Sequence, residues 1–298
     1  VNPSFADLLR HGRRSPYAAW FDVSWELADG RIVLPVLDGS IRDTIGSGQL
    51  QVVREPGDGH FAFRIAGTSY PAAEPASDSD DLVLLSELAG VDLRDDAAAA
   101  REVELLLSHQ HYRLIDWRRA NQAVNYRRFF AINELIGVRQ EDPEVFAATH
   151  TLVAELARDE RVAGFRVDHV DGMRDPGGYL QQLRELVDAG GRRHVIEVEK
   201  ILARDETLPA WPVAGTTGYE AGDALTALCI DPEGRARLVA ALEHETGSRT
   251  FAEVEHESKA FVLDAVFRSE WERVLDLLAD DMLVPALREV TLALDVYR

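Results

Sequence analysis

The 298-residue sequence is poor in several residue types at once. It has one cysteine, Cys229, two methionines and only two lysines, Lys200 and Lys259. A single cysteine excludes a disulfide framework and a cysteine-based zinc site within the chain. Cys229 sits in the apolar run "ALTALCI", which reads as a buried small hydrophobe rather than a nucleophile. Positive charge is also short: 32 basic side chains face 52 acidic ones, for a formal net charge of −20. A polyanion would be repelled, so neither nucleic acid nor an anionic membrane is expected as a partner. No apolar run approaches about 18 residues and no leader is apparent, which leads us to expect a cytoplasmic protein. An initiator methionine is missing, and the sequence stops directly after "ALREVTLALDVYR", so it reads as a piece of a longer protein.

What is present is enough apolar residue, 46%, for one large domain or two smaller ones. Up to about residue 75, short apolar runs alternate with turn signals. "RIVLPVLDG" reads as a strand, and "PGDGH" between "LQVV" and "FAFRI" reads as a hairpin turn. From about 79 to 160 the spacing of apolar residues predicts helices, "AAAAREVELLLSHQHYRLIDWRRAN" among them. "EDPEVFAATHTLVAELARDERV" predicts one helix with Asp142 as cap, Pro143 in the first turn, and Val145, Phe146, Thr149, Val153 and Leu156 on one face. The period then changes. "VAGFRVDH" predicts a strand, "DPGGYLQQLRELVDAGG" a helix capped by Asp175, and "RHVIEVEKI" another strand. Strand, helix, strand with short links is a βαβ unit with parallel strands. The remainder reads as mostly helical, with "EVTLALDVY" as a candidate third strand.

The stretch "GFRVDHVDG", Gly164 to Gly172, places Arg166, Asp168, His169 and Asp171 close together. Side chains alternate along a strand, so Phe165 and Val167 share one face while Arg166 and Asp168 share the other. In the next strand Ile196 and Val198 face one way, Glu197 and Glu199 the other. Asp168 and Glu199 then both end their strands at the C-terminal edge, where parallel α/β folds carry chemistry. Neighbouring strands lie roughly 4.8 Å apart. That permits the separation of about 5–5.5 Å that a retaining glycosidase needs between nucleophile and acid/base. Arg166 would hold Asp168 ionised, and Glu199 would need a raised pKa to start as an acid. On pattern alone, an ion-pair network at a strand end fits these residues equally well. His169 and Asp171 lack the further ligands that a metal site requires, so no metal is expected.

The same stretch resembles the strand-four nucleophile motif of the alpha-amylase superfamily. "IEVEKILARDETLPAWPVAGTTGYE", "NYRRFFAINELIGVRQEDPEVF", "SHQHYRLIDWRRA" and the opening "NPSFADLLRHGRRSPYAAWFDVSW" resemble one family within it, the maltooligosyl trehalose synthases. The resemblance runs from about residue 2 to 298. It implies a (β/α)8 TIM barrel of the alpha-amylase type, present here in part. Residues 1–125 would be a subdomain inserted after barrel strand 3, β-rich to about 75 and then helical. Residues 126–298 would carry strands 4 and 5 and a helical insertion. The implied reaction converts the reducing-end α-1,4 bond of a maltooligosaccharide into an α,α-1,1 bond. By the same resemblance Asp168 matches the nucleophile, Glu199 the acid/base and Arg166 the arginine beside the nucleophile; no cofactor is implied. The family's strand-three motif and its third carboxylate have no counterpart within residues 1–298, so the chain alone is expected to be inactive. The alternatives are an α-glucan hydrolase or another glucanotransferase of the superfamily, and a non-catalytic glucan-binding protein.

Other residues are open to two readings. Trp211 and Tyr219 could stack on sugar rings or pack in the core. Tyr126 could bind sugar or shape the contact between subdomain and barrel. His169 could reach substrate or make a structural hydrogen bond. Lys200 could bind substrate at the strand end or balance Glu199. His109 and His111, in a stretch read as helical, are expected to be structural.

Overall fold

The computed structural model describes residues 2–57, 59–75, 79–94, 96–203, 206–278 and 280–294, without the side chain of residue 246. The chain divides into two compact units, Val1–Arg139 with Asp264–Val274, and Gln140–Leu263 with Leu275–Arg298.

The first unit opens with α1 (Pro3–His11), whose cap Asn2 accepts from the backbone of Ser4 and Phe5. It continues through β1 (Ile32–Leu37), α2 (Ile41–Gly46), β2 (Leu50–Arg54), β3 (Phe61–Ile65), β4 (Thr68–Pro71), α3 (Asp80–Leu88), α4 (Ala97–Ser108), β5 (Tyr112–Asp116), α5 (Ala120–Ala123) and a hairpin of β6 (Arg128–Phe129) and β7 (Ile132–Ile136). The expected hairpin forms: β2, β3 and β4 make an antiparallel sheet, with Val52 opposite Phe63. "YRLID", read above as helix, is instead a strand. It pairs in parallel with β1, Leu114 opposite Leu34. His109 therefore caps α4, and His111 lies in the link to β5. One core, including Leu8, Leu34, Phe63, Leu106 and Tyr112, gathers these elements.

The second unit contains α6 (Pro143–Thr149), α7 (Thr151–Arg158), β8 (Gly164–Val167), α8 (Pro176–Asp188), β9 (Val195–Val198), β10 (Gly215–Thr216), α9 (Tyr219–Leu228), α10 (Pro232–Thr246), α11 (Phe251–Ala265) and α13 (Val284–Leu292). Between the last two, α12 (Arg268–Leu275) lies mostly in the first unit. There the side chain of Arg128, fully buried, is held by Glu270 at 2.9 and 3.1 Å and by Asn121, Asn133 and the carbonyl of Val266. Three helices of the second unit start on an Asp-Pro pair. Asp142, Asp175 and Asp231 each accept backbone N–H groups that the first helical turn leaves unpaired. The predicted helix over 142–162 breaks in two at buried His150. Its ring stacks on Phe146, Nδ1–H donates to the Phe146 carbonyl and Nε2 accepts from the Tyr179 hydroxyl at 2.9 Å. Thr149 and Leu156, placed on the buried face above, are exposed as a result.

β8 and β9 pair in parallel, Arg166 opposite Glu197 and Val167 opposite Val198, with β10 on the far side of β9. α8 buries Leu180, Leu183 and Val187 against Val167, Ile196 and Val198. Each such side chain contributes about 1.5–3 kcal/mol. The βαβ reading holds, and the chain is an α/β protein. "EVTLALDVY" does not form the third strand: Glu289–Leu292 continue α13, and residues 295–298 lie outside the described ones. Cys229 is exposed, not buried, because α9 and α10 leave apolar residues open, with Leu225 66%, Leu228 84% and Leu238 74% exposed.

Candidate active site

The β8–β9 pair ends in two carboxylates. Pairing closes with the Glu199 amide donating to the Val167 carbonyl at 2.7 Å. Asp168 and Glu199, each one residue past its strand, emerge side by side on the face that carries Arg166 and Glu197. Phe165, Val167, Ile196 and Val198 pack into the core on the other. The two carboxyl groups lie near enough for each to shift the titration of the other. Arg166 bridges them, 3.3 Å from Glu199 Oε1 and 3.6 Å from Asp168 Oδ1.

Two further donors converge on Glu199. The Tyr219 hydroxyl, from the first residue of α9, lies 2.9 Å from Oε1. The backbone N–H of His169 points at Oε2 from 3.3 Å. That amide is aimed by a left-handed backbone (φ 49, ψ 45), uncommon for a side chain with a Cβ. Gly172 makes room for the turn: a Cβ there would sit 2.3 Å from His169 Nε2.

These donors bear on how the two carboxyls titrate. Glu199 is held below the ordinary carboxylate range, first by its hydrogen bond with Asp168 and then by that from Tyr219. Asp168 is pushed up, chiefly by the same bond with Glu199. These directions differ from the tuning that the sequence led us to expect, a raised Glu199 beside an Asp168 held ionised by Arg166. The cause is local: Tyr219, the His169 amide and the nearer end of Arg166 all favour charge on Glu199. Two carboxyls in contact cannot both ionise freely, and the pair titrates as a unit.

The remaining predicted residues separate. Tyr219 joins the carboxylates and, with Arg166, Thr217, Gly218, Gly222 and Asp223, lines an open depression of about 510 Å³ beside them. Trp211 packs on the core formed by Val167, Ile196 and Leu180. Its loop is latched by Arg184, which donates to the carbonyls of Pro212 and His194. Lys200 does not balance Glu199. Its side chain is 1% exposed, with Nζ 3.0 Å from Glu206 and 3.6 Å from Asp171. Neither carboxylate was singled out from sequence as its partner, because a buried triad across two loops leaves no periodic signal. Tyr126 belongs to the first unit. It is buried, its hydroxyl donates to the Asn133 carbonyl at 2.8 Å, and burial raises its pKa. Among the described residues no three metal-ligating side chains gather, and no helix is long and apolar enough to cross a membrane.

A Mycobacterium tuberculosis protein named maltooligosyl trehalose synthase is 41% identical over 238 residues, which is 80% of this chain. The chain is a homologue of the maltooligosyl trehalose synthases. The solved maltooligosyltrehalose synthase of Arthrobacter ramosus matches all of it at 37% identity and a TM-score of 0.81, and a solved glycosyltrehalose synthase matches 99% of it at 30% identity with the same score. The chain spans 26% of the curated Mycobacterium relative, 35% of the Arthrobacter structure and 37% of the other. No protein-family model matches the chain.

Proposed function

We propose that this chain supplies the nucleophile and the acid/base of a maltooligosyl trehalose synthase, acting within a protein of its relatives' length. The observation that carries the reading is the placing of Asp168 and Glu199 at the C-terminal edge of two hydrogen-bonded parallel strands, bridged by Arg166. In this reading residues 126–298 are the central part of a (β/α)8 barrel, with 1–125 an inserted subdomain.

The chemistry is a retaining double displacement. Substrate entry separates the carboxyls, and the proton passes to Glu199. Asp168 attacks the anomeric carbon of the penultimate glucose as Glu199 protonates the departing O4 of the reducing-end glucose. A glycosyl–Asp168 ester forms. The released glucose turns its anomeric hydroxyl toward the ester, Glu199 takes that proton, and the oxygen attacks the ester carbon. An α,α-1,1 bond results and Asp168 leaves as carboxylate. Tyr219, on the rim of the depression, is well placed both to stack on a sugar and to release Glu199 when it does so. Asp168 is 63% exposed; where water reaches the ester first, the product is that of a hydrolase, which is the second reading.

The test uses the protein at its relatives' length. Asp168→Ala is expected to form no glycosyl-enzyme with either a maltooligosaccharide or an α-maltosyl fluoride. Glu199→Gln is expected to be slow with the oligosaccharide but to glycosylate Asp168 from the fluoride, whose leaving group needs no proton. If Glu199→Gln is as slow with the fluoride as with the sugar, Glu199 is not the acid.

A further inference from the structure

Beyond the carboxylate pair, a buried cluster joins the two loops that carry it. Lys200 directly follows Glu199, and Asp171 lies three residues after Asp168. The Lys200 ammonium reaches Asp171 Oδ2 at 3.6 Å and Glu206 Oε1 at 3.0 Å, with the three side chains 1%, 5% and 8% exposed. Lys200 Nζ also donates to the Ile201 carbonyl, and the other Glu206 oxygen accepts the Ala203 amide at 3.0 Å. Burial pushes Asp171 up, and Lys200 opposes that.

The strands themselves stop holding the pair one residue too early. Backbone pairing ends at the Glu199 amide on the Val167 carbonyl. Asp168 and the left-handed His169 then depend on the turn at 170–172. A non-glycine residue in that conformation costs on the order of 1–3 kcal/mol and persists only where its surroundings hold it. Asp171 is the turn's anchor, and its partner is the residue next to Glu199. The choice of lysine is informative too. Two of the 32 basic side chains are lysine. The other, Lys259, is a surface residue, 33% exposed, bound to Glu255 and to the Leu294 carbonyl. A compact ammonium fits between two carboxylates where a planar guanidinium with five donors would not.

We infer that Lys200 is a positioning residue for the carboxylate pair: by clamping Asp171 and Glu206 it fixes the spacing and orientation of Asp168 and Glu199. The inference rests on the function proposed above. Lys200 touches no substrate in it and acts through the turn.

The test compares Lys200→Met with Lys259→Met and Asp168→Ala in the protein at its relatives' length. Lys200→Met is expected to lower kcat about 10²-fold, the effect of displacing reacting groups by roughly 1 Å, with KM unchanged. Followed by carboxyl NMR, the two titration steps of the Asp168–Glu199 pair are expected to move closer together as their contact loosens. Lys259→Met should alter neither. If Lys200→Met only lowers the melting temperature, with kcat per folded molecule and the titration steps intact, the lysine is a structural brace and the inference is wrong. Should Lys200→Met fail to fold, Asp171→Asn, an isostere that removes one end of the clamp, is read by the same two measurements. Asp168→Ala separates the two failures: activity in that variant overturns the catalytic reading, while the titration steps compared between Lys200→Met and the unaltered protein still report on the clamp.

Discussion

Two parallel strand pairs in this chain end alike, and they differ in what surrounds the ends. At β1–β5, Asp38 follows one strand, Asp116 ends the other, and Arg118 bridges them at 2.8 and 3.3 Å. At β8–β9, Asp168 and Glu199 are bridged by Arg166 at 3.6 and 3.3 Å. The first set is spent on local structure. Asp116 caps a 3-10 turn by accepting the Arg118 amide, and Arg118 lies over the Trp117 ring. In the second, the arginine lies within the strand, and a tyrosine hydroxyl and a left-handed amide converge on one of the carboxyls. Two acids and an arginine at a strand edge are therefore not a site. What distinguishes the candidate is that donors from other elements converge on a carboxylate that caps no turn of its own.

The contrast can be broken most directly at the carboxylates. At the length of the relatives, Glu199→Gln should reduce turnover of a maltooligosaccharide about 10²–10⁴-fold. Asp38→Asn and Asp116→Asn should leave it within about twofold. Comparable losses at both edges in steady-state assays would mean that the hydrogen-bonding distinction is wrong.

A smaller effect is expected at the glycines that follow each edge. Gly39 has φ +113, so Gly39→Ala should cost about 1–3 kcal/mol of stability with little change in rate per folded molecule. Gly172 has no such strain, but a Cβ would collide with the His169 ring. Gly172→Ala should therefore lower kcat by roughly tenfold or more, with a lesser effect on melting. Denaturant titration beside kinetics reads both, and the reverse pattern would sink the comparison.

The smallest expected effect sharpens the proton's position. Tyr219 donates to Glu199 and so favours its ionised form. Removing the hydroxyl in Tyr219→Phe raises the Glu199 pKa. In the proposed role of acid, Glu199 would fail on losing its proton, so the high-pH limb of kcat/KM should move to higher pH. A limb that stays put, or moves down, would show that the hydroxyl does not govern this proton.

The difference between the edges was only half legible in the sequence. Period-two alternation in "GFRVD" and "HVIEVE" predicts β8, β9 and the shared inward face of Asp168 and Glu199, because strand parity is local. The Asp-Pro caps are local too. "YRLID" escaped because its apolar residues continue the spacing of the helix before it, and its strand character comes from β1, some 80 residues earlier. In "EVTLALD" the alternation of Val290, Leu292 and Leu294 imitates a strand, but the helix already running from Val284 continues to Leu292. The hydrogen bonds that converge on Glu199, the burial of Lys200 and the packing of His150 on Tyr179 all depend on groups brought in from other elements. No window on the sequence contains them.

The apolar residues left open on α9, α10 and α11 have a consequence for the chain as a colloid. Leu225, Leu228, Leu238, Leu242, Phe251 and Phe261 are all more than half exposed, on a chain of net charge −20. Like-charge repulsion keeps such molecules apart while it reaches farther than apolar contact does. The screening length is about 10 Å at 0.1 M salt and 3 Å at 1 M. The chain should thus behave as a surfactant governed by ionic strength: dispersed in dilute buffer, self-associating in brine, and retained on phenyl-substituted resin where a closed globule of the same charge would flow through.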